Sequence, residues 1–302
     1  MGVTIFRRWR EPTRGFTLGW AWASLVANTV IILTGGLVRL TGSGLGCPTW
    51  PRCTDSSFVP HESLGVHGAI EFGNRMLTYV LIAVAIGTWF AVRRWAGSSD
   101  STRRLATVLA IGVPFQGVLG GITVLTDLNP WIVALHLMLS LGLVAGSTLL
   151  IVRVGSYSST AVSGPNRALA LVIYALLWVT VYVGTIVTGS GPHAGDDEAP
   201  RNNLRPDIWS HIHADLVFAL VALTMIALFV FRKDREVRRW MGWLLAAQLA
   251  QGVIGIIQYR NDLPIVLVAS HLVGAAVLIS LTTRLVLATT RSSVRKSTLI
   301  RT

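Results

Sequence analysis

Charge is scarce in this chain. Only 13% of the 302 residues are charged, against about 25% in an average soluble protein, while 52% are hydrophobic. That deficit excludes an ordinary soluble domain and leaves an integral membrane protein. Apolar windows able to cross about 30 Å of hydrocarbon at about 1.5 Å per residue fall at 17 to 38, 68 to 92, 105 to 126, 131 to 152, 168 to 188, 208 to 231, 240 to 258 and 265 to 288. The first begins too deep, is too long and lacks a small-residue cleavage site, so no removable signal peptide is expected. Acids are scarcer still, 14 against 26 basic residues, for a net charge of +12. The position of the surplus argues against a nucleic-acid partner. Arg7, Arg8, Arg10 and Arg14 precede window 1, and Arg93, Arg94, Arg103 and Arg104 separate windows 2 and 3. Arg153 and Arg167 separate windows 4 and 5, and Arg232, Lys233, Arg235, Arg238 and Arg239 separate windows 6 and 7. Arg291, Arg295, Lys296 and Arg301 follow window 8. With eight spans, every cluster falls on one side, which the positive-inside rule makes cytoplasmic, with both termini there.

Cysteine is nearly absent. Cys47 and Cys53 are the only two, both in the loop after window 1 on the expected outer side, where an oxidising exterior favours pairing. A structural staple and a redox-active pair both remain open, whereas two thiols without a nearby His-x-x-x-His pattern make only half a zinc site. Phosphate-binding glycine loops, nucleophile elbows and a soluble second domain are also missing.

What the chain does contain is a duplication. Gln116-Gly117-Val118-Leu119-Gly120 leads through Asp127-Leu128-Asn129-Pro130 to His136, and Gln251-Gly252-Val253-Ile254-Gly255 leads through Asn261-Asp262-Leu263-Pro264 to His271. The Gln-to-His separation is 20 residues in both. Thr-Gly-Ser-Gly at 41 to 44 returns at 188 to 191. The expected architecture is all-α and integral to the membrane, with eight transmembrane helices in two tandem four-helix bundles, 1–155 and 156–302.

Polar residues inside the spans point to chemistry, because each costs kilocalories if turned to lipid. His67, Glu71, Asn74 and Arg75 share one face of window 2, where Glu71 and Arg75 at i,i+4 are expected to form an ion pair. In window 6, His211 and His213 point about 200° apart, and alignment of the halves sets His213 opposite Asn74. His213 and His271 lie seven residues after Pro206 and Pro264, and His136 six after Pro130. All three therefore sit about 9 to 12 Å below the outer helix ends. Equal depth on facing helices suits two axial imidazoles of one haem, so the second half is expected to hold a bis-histidine, electron-transferring haem. The first half differs. His136 has Asn74 opposite and Glu71 one turn away, which leaves an open side for oxidative chemistry and a carboxylate to move protons or stabilise a cation. The polar loop Pro192-His193-Ala194-Gly195-Asp196 is long enough to fold over the bundle mouth.

The run Gly35-Gly36-Leu37-Val38-Arg39-Leu40-Thr41-Gly42-Ser43-Gly44-Leu45-Gly46-Cys47-Pro48, the Glu71-x-x-Asn74-Arg75 pattern, the Pro192 to Asp196 loop and the two Gln-to-His blocks closely resemble the haem A synthase family over essentially the whole chain. The resemblance implies an eight-span membrane oxidoreductase that converts the C8 methyl of haem O, made by haem O synthase, to the formyl of haem A for cytochrome oxidase. It implies haem b on His213 and His271 in the second half, substrate haem O at His136 in the first, and Glu71 as the essential acid. It also implies a bacterial-type cell membrane location, with the cysteine loop outside and oxidase assembly proteins as possible partners. The family's commoner pattern is Glu-x-x-His-Arg; here Asn74 replaces that histidine, and Ala214 follows His213 where an arginine is expected. Haem O is accordingly expected on His136 alone or on His136 with His67. The competing readings are a bis-histidine membrane electron carrier, which would need no Glu71, and a repeat-built transporter, which typically shows inverted halves and broken helices.

Overall fold

A computed structural model describes residues 11–157 and 164–289. The expectations that fall on Arg7, Arg8, Arg10, Arg291, Arg295, Lys296 and Arg301 lie outside the described residues. Eight long helices make up the fold: α1 (Arg14–Leu40), α2 (Gly65–Arg94), α3 (Asp100–Leu125), α4 (Pro130–Gly155), α5 (Gly164–Ser190), α6 (Pro206–Val230), α7 (Arg235–Arg260) and α8 (Ile265–Ala288). All eight are long and apolar enough to cross a membrane, and no strand occurs among the described residues.

Each expected window becomes one helix, but most helices extend past it, because their ends are set by capping groups rather than by hydropathy. Thr13 Oγ1 accepts from Phe16 N, Ser99 from Thr102 N, Asn129 from Trp131 N and Asp234 from Val237 N. Asp234 thus starts α7 at Arg235 and draws the basic run into the helix, five residues before the apolar window begins.

The helices close two rings. α1 packs on α2 and α4, with α3 between α2 and α4; α5 packs on α6 and α8, with α7 between α6 and α8. The rings join where α1 and α4 meet α8 and where α4 meets α5. A single core cluster crosses this seam, running from Ile32 and Leu141 through Ile173 and Leu220 to Leu244 and Ile279. At its outer part Leu272 drives into the space left by Gly36, so any side chain at Gly36 would collide with it.

The duplication is visible in backbone conformation. Asp127 and Leu128 between α3 and α4 have φ of 51° and 59°, and Asp262 and Leu263 between α7 and α8 have φ of 55° and 58°. Leu128 N donates to Thr123 O at 2.8 Å and Leu263 N to Gln258 O at 2.9 Å, the same six-residue closure. Left-handed leucine is costly, and at Leu128 the cost is offset by burial against Ala194 and Ala199 of the long loop.

At the end of the bundle bearing these two turns, three segments interlock. Gly44 N donates to Gly195 O at 2.8 Å, and the His193 Nε2–H donates to Leu263 O at 3.1 Å. Arg39 Nη2 reaches Thr188 O at 2.9 Å. The 192–196 loop therefore does lie across the bundle mouth. At the opposite end sit the described basic residues of every interhelical cluster.

Candidate functional site

Two polar centres lie toward the interlocked end, one in each ring. In the second ring, His213 of α6 faces His271 of α8 with ring centroids 6.4 Å apart and planes at 67°. Helix α5 fixes the first imidazole. The His213 Nδ1–H donates to Thr180 O at 3.0 Å, which leaves Nε2 as the nitrogen with a free lone pair. One turn along α5, a Cβ at Gly184 would lie 3.1 Å from His213 Cε1, so glycine there keeps a side chain from pressing on the ring. Helix α7 fixes the second. Gln251 Nε2 donates to the His271 backbone carbonyl at 2.8 Å, and a Cβ at Gly255 would stand 3.6 Å from His271 Cε1. His271 Nδ1 is buried without a hydrogen-bond partner. His211, by contrast, is exposed, its Nδ1–H bonded to Asp207 O at 2.7 Å.

The pair fits a porphyrin iron. Metal–imidazole bonds of about 2 Å, with about 1.1 Å from nitrogen to ring centre, put two axial imidazole centres about 6 Å apart. No cluster of three or more His, Cys, Asp or Glu suited to a protein-ligated metal ion occurs among the described residues.

The first ring repeats half of this arrangement. Gln116 Nε2 donates to the His136 carbonyl at 3.3 Å, and a Cβ at Gly120 would lie 3.5 Å from His136 Cε1. His136 Nδ1 is again buried without a partner. On α2, Asn74 is the residue that alignment of the two halves sets against His213, and its Oδ1 accepts from Thr34 Oγ1 at 2.8 Å. Among the described residues, no imidazole is paired with His136 as His213 is with His271.

Glu71 is 4% exposed and both its oxygens are engaged. Oε1 accepts from Arg75 Nη2 at 2.5 Å and Nε at 3.1 Å; Oε2 accepts from Cys47 N at 2.6 Å. Arg75 also donates to the carbonyls of Cys47 (2.9 Å), Thr49 (3.0 Å) and Arg52 (3.1 Å). The Glu71–Arg75 pair expected within one helix is thus also the anchor of the Cys47–Cys53 loop. The two cysteines form a disulfide with Cα atoms 4.4 Å apart. Beyond it, Trp50 lies flat on Gly121 of α3, beside the Gly120 that accommodates His136. The loop therefore spans from the Glu71 carboxylate to the helix behind His136. His67 lies outward of this, exposed, its Nδ1 hydrogen-bonded with Ser43 Oγ at 2.9 Å.

The sequence singles out the histidines, Asn74 and Glu71 but not the groups that hold them: Thr180, Gly184, Thr34, Ser43 and the cradling role of Gly120 and Gly255. The last two did carry a signal, since each glycine stands four residues after its glutamine, one helical turn along the same face.

Residues 19–283 match the COX15-CtaA family, described as cytochrome oxidase assembly protein. The chain is also similar to curated proteins named heme A synthase. It is 25% identical to that of Geobacillus kaustophilus over 272 residues, covering 81% of this chain and 84% of the relative. It is 24% identical to that of Shewanella oneidensis over 309 residues, covering 85% and 91%. For Symbiobacterium thermophilum the identity is 27% over 268 residues, covering 78% and 85%. Eight spans, a duplicated histidine scaffold and a match over most of its length place this chain in the COX15-CtaA family of cytochrome oxidase assembly proteins.

Proposed function

We propose that the chain is a haem A synthase, a membrane oxidoreductase that converts the C8 methyl of haem O to the formyl of haem A for cytochrome oxidase. The observation that carries this reading is the broken symmetry of the two rings. His213 and His271 face each other at 6.4 Å, while His136 has Asn74, tied to Thr34, in the corresponding place. A closed pair and an open single ligand suit an electron-transfer centre beside a substrate centre. The 1–155 half thus takes haem O and the 156–302 half takes haem b, which when bound supplies one-electron transfer. An electron carrier alone has no use for the second, unequal centre or for the buried Glu71 carboxylate in the same ring.

In this reading His213 and His271 hold haem b, each oriented by a helix behind it: Thr180 O fixes one ring, and Gln251 fixes the backbone under the other. His136 holds the iron of haem O. Turning a methyl into a formyl group removes electrons and protons from carbon and adds one oxygen atom, supplied by water or dioxygen; Glu71 is the proton acceptor, kept in place by Arg75 and Cys47 N. The disulfide loop, with Trp50 seated on Gly121, covers this side and limits water. The basic clusters, read by the positive-inside rule, support a cytoplasmic side at the opposite end and a disulfide on the outer side.

Expression in a host that makes haem O but no haem A tests the proposal. Extracted haems are expected to contain haem A together with haem b. Haem b without haem A would make the chain an electron carrier, and absence of both would remove the haem reading.

His67 separates the two ways of holding the substrate. It is the third residue of α2, about 3 Å along the axis, and exposed, whereas His136 is about 9 Å into α4. We therefore assign the substrate iron to His136 alone. His67→Ala is expected to keep haem O retention in purified protein within about twofold of the parent, while a loss of the size seen for a metal-site partner, roughly tenfold or more, would make His67 the second ligand.

A further inference from the structure

The basic end of the bundle carries a feature that haem chemistry does not use. Between the end of α2 and the start of α3 lies an open cleft of about 710 Å³ lined by Arg93, Asp100, Arg103, Arg104, Thr107 and Val108. It continues into a second cleft of about 520 Å³ lined by Ile86, Trp89, Phe90, Ala110, Ile111 and Pro114, with Thr107 shared by both. The joint is built. Trp89 Nε1 donates to Thr107 Oγ1 at 3.0 Å, tying α2 to α3, and the Arg93 guanidinium lies 5.1 Å from the Trp89 ring centre. Asp100 approaches only Arg103, at 3.8 Å, and Arg93 and Arg104 have no carboxylate partner among the described residues.

The dimensions match one kind of molecule. Pro114 lies 11 residues beyond Arg103 on α3, about 16 Å along the axis, or half of a hydrocarbon core of about 30 Å. Pro114 has no N–H to give to the Ala110 carbonyl, so the ladder is interrupted where the apolar cleft is lined. The groove therefore runs from headgroup level to mid-membrane, cationic at one end and apolar along the rest. Ile86, Phe90 and Ile111 are about half exposed or more, open to lipid rather than to other helices.

We propose that this groove binds one anionic phospholipid, its phosphate on Arg93, Arg103 and Arg104 and one acyl chain along Trp89, Ala110 and Pro114. Charge complementarity selects the headgroup, and the Trp89–Thr107 bridge sets the point at which the lipid passes from polar to apolar surroundings.

The test uses the full chain purified in detergent. Retention of dioleoylphosphatidylglycerol and dioleoylphosphatidylcholine is measured by native mass spectrometry, with inorganic phosphate as a competitor. Parent protein is expected to retain phosphatidylglycerol preferentially, and phosphate at equal concentration is expected not to displace it. Each basic side chain is worth about fivefold at an anionic surface, so R93Q/R104Q is expected to weaken phosphatidylglycerol roughly 20- to 30-fold and leave phosphatidylcholine unchanged. Ala110→Trp keeps all three arginines but fills the apolar cleft, and is expected to lower phosphatidylglycerol retention as well. Equal retention of the two lipids, an undiminished R93Q/R104Q variant, or displacement by phosphate would each overturn the proposal. An Ala110→Trp variant that holds the lipid as well as the parent would overturn it too.

Discussion

Glu71→Gln is expected to abolish haem A formation while leaving the bundle and its haem b intact. The amide keeps the length of the side chain and an oxygen that can still accept from Cys47 N or Arg75, so the disulfide loop stays docked. Arg75 retains its three loop carbonyls and is 17% exposed. Its loss of a counter-charge should therefore cost well under the roughly 3–5 kcal/mol of a stranded buried ion. What the substitution removes is the capacity to take a proton, a contribution of about 10²- to 10⁴-fold in rate. Extracted haems should show haem A reduced at least 100-fold with haem O accumulating, while the low-spin haem b absorbance and the protease resistance of the 47–53 loop stay at parental levels. A variant that still makes haem A at near-parental yield would reduce Glu71 to an anchor for the loop.

The experiment discriminates because Glu71 has two occupations that the chain order alone does not connect. The helical repeat of 3.6 residues put Glu71 and Arg75 on one face and predicted their ion pair, which is present. It had no means of showing that the same pair closes on Cys47, 24 residues earlier, because an irregular loop carries no period. The same division runs through the fold. Eight spans were readable because a bilayer demands long apolar runs, whereas the start of α7 was missed by five residues because Asp234 caps a polar turn. His213 was separable from His211 by a rotation of about 200°, and it is indeed His213 that faces His271. Contacts made by absent side chains were the least readable. Gly184, Gly120 and Gly255 stand beside the three imidazoles, and Gly36 admits Leu272, the neighbour of His271, to within reach of α1. In a sequence such glycines look like ordinary helix packing, since the object that fills the space belongs to another segment.

Those glycines sharpen the second large expectation, loss of haem b when either imidazole of the second ring is removed. His271→Gly deletes one axial ring but leaves the Gln251 contact to the residue 271 carbonyl, because that bond is made to the backbone. The variant should fold, lose the low-spin bis-imidazole spectrum and retain haem b at least tenfold less well, since even second-layer partners of metal ligands are worth about 10- to 100-fold in affinity. Added imidazole should restore the low-spin spectrum by occupying the emptied position. Gly184→Leu tests the same site from behind. A bare Cβ there already stands 3.1 Å from His213 Cε1, so the larger side chain must push the ring off its Thr180 hydrogen bond. Haem b binding should fall although both histidines are present. His136→Gly provides the contrast: it should spare the low-spin spectrum and remove bound haem O. If His271→Gly instead kept the low-spin spectrum without added imidazole, the 6.4 Å pair would be a packing contact and the electron-transfer centre would have to lie elsewhere.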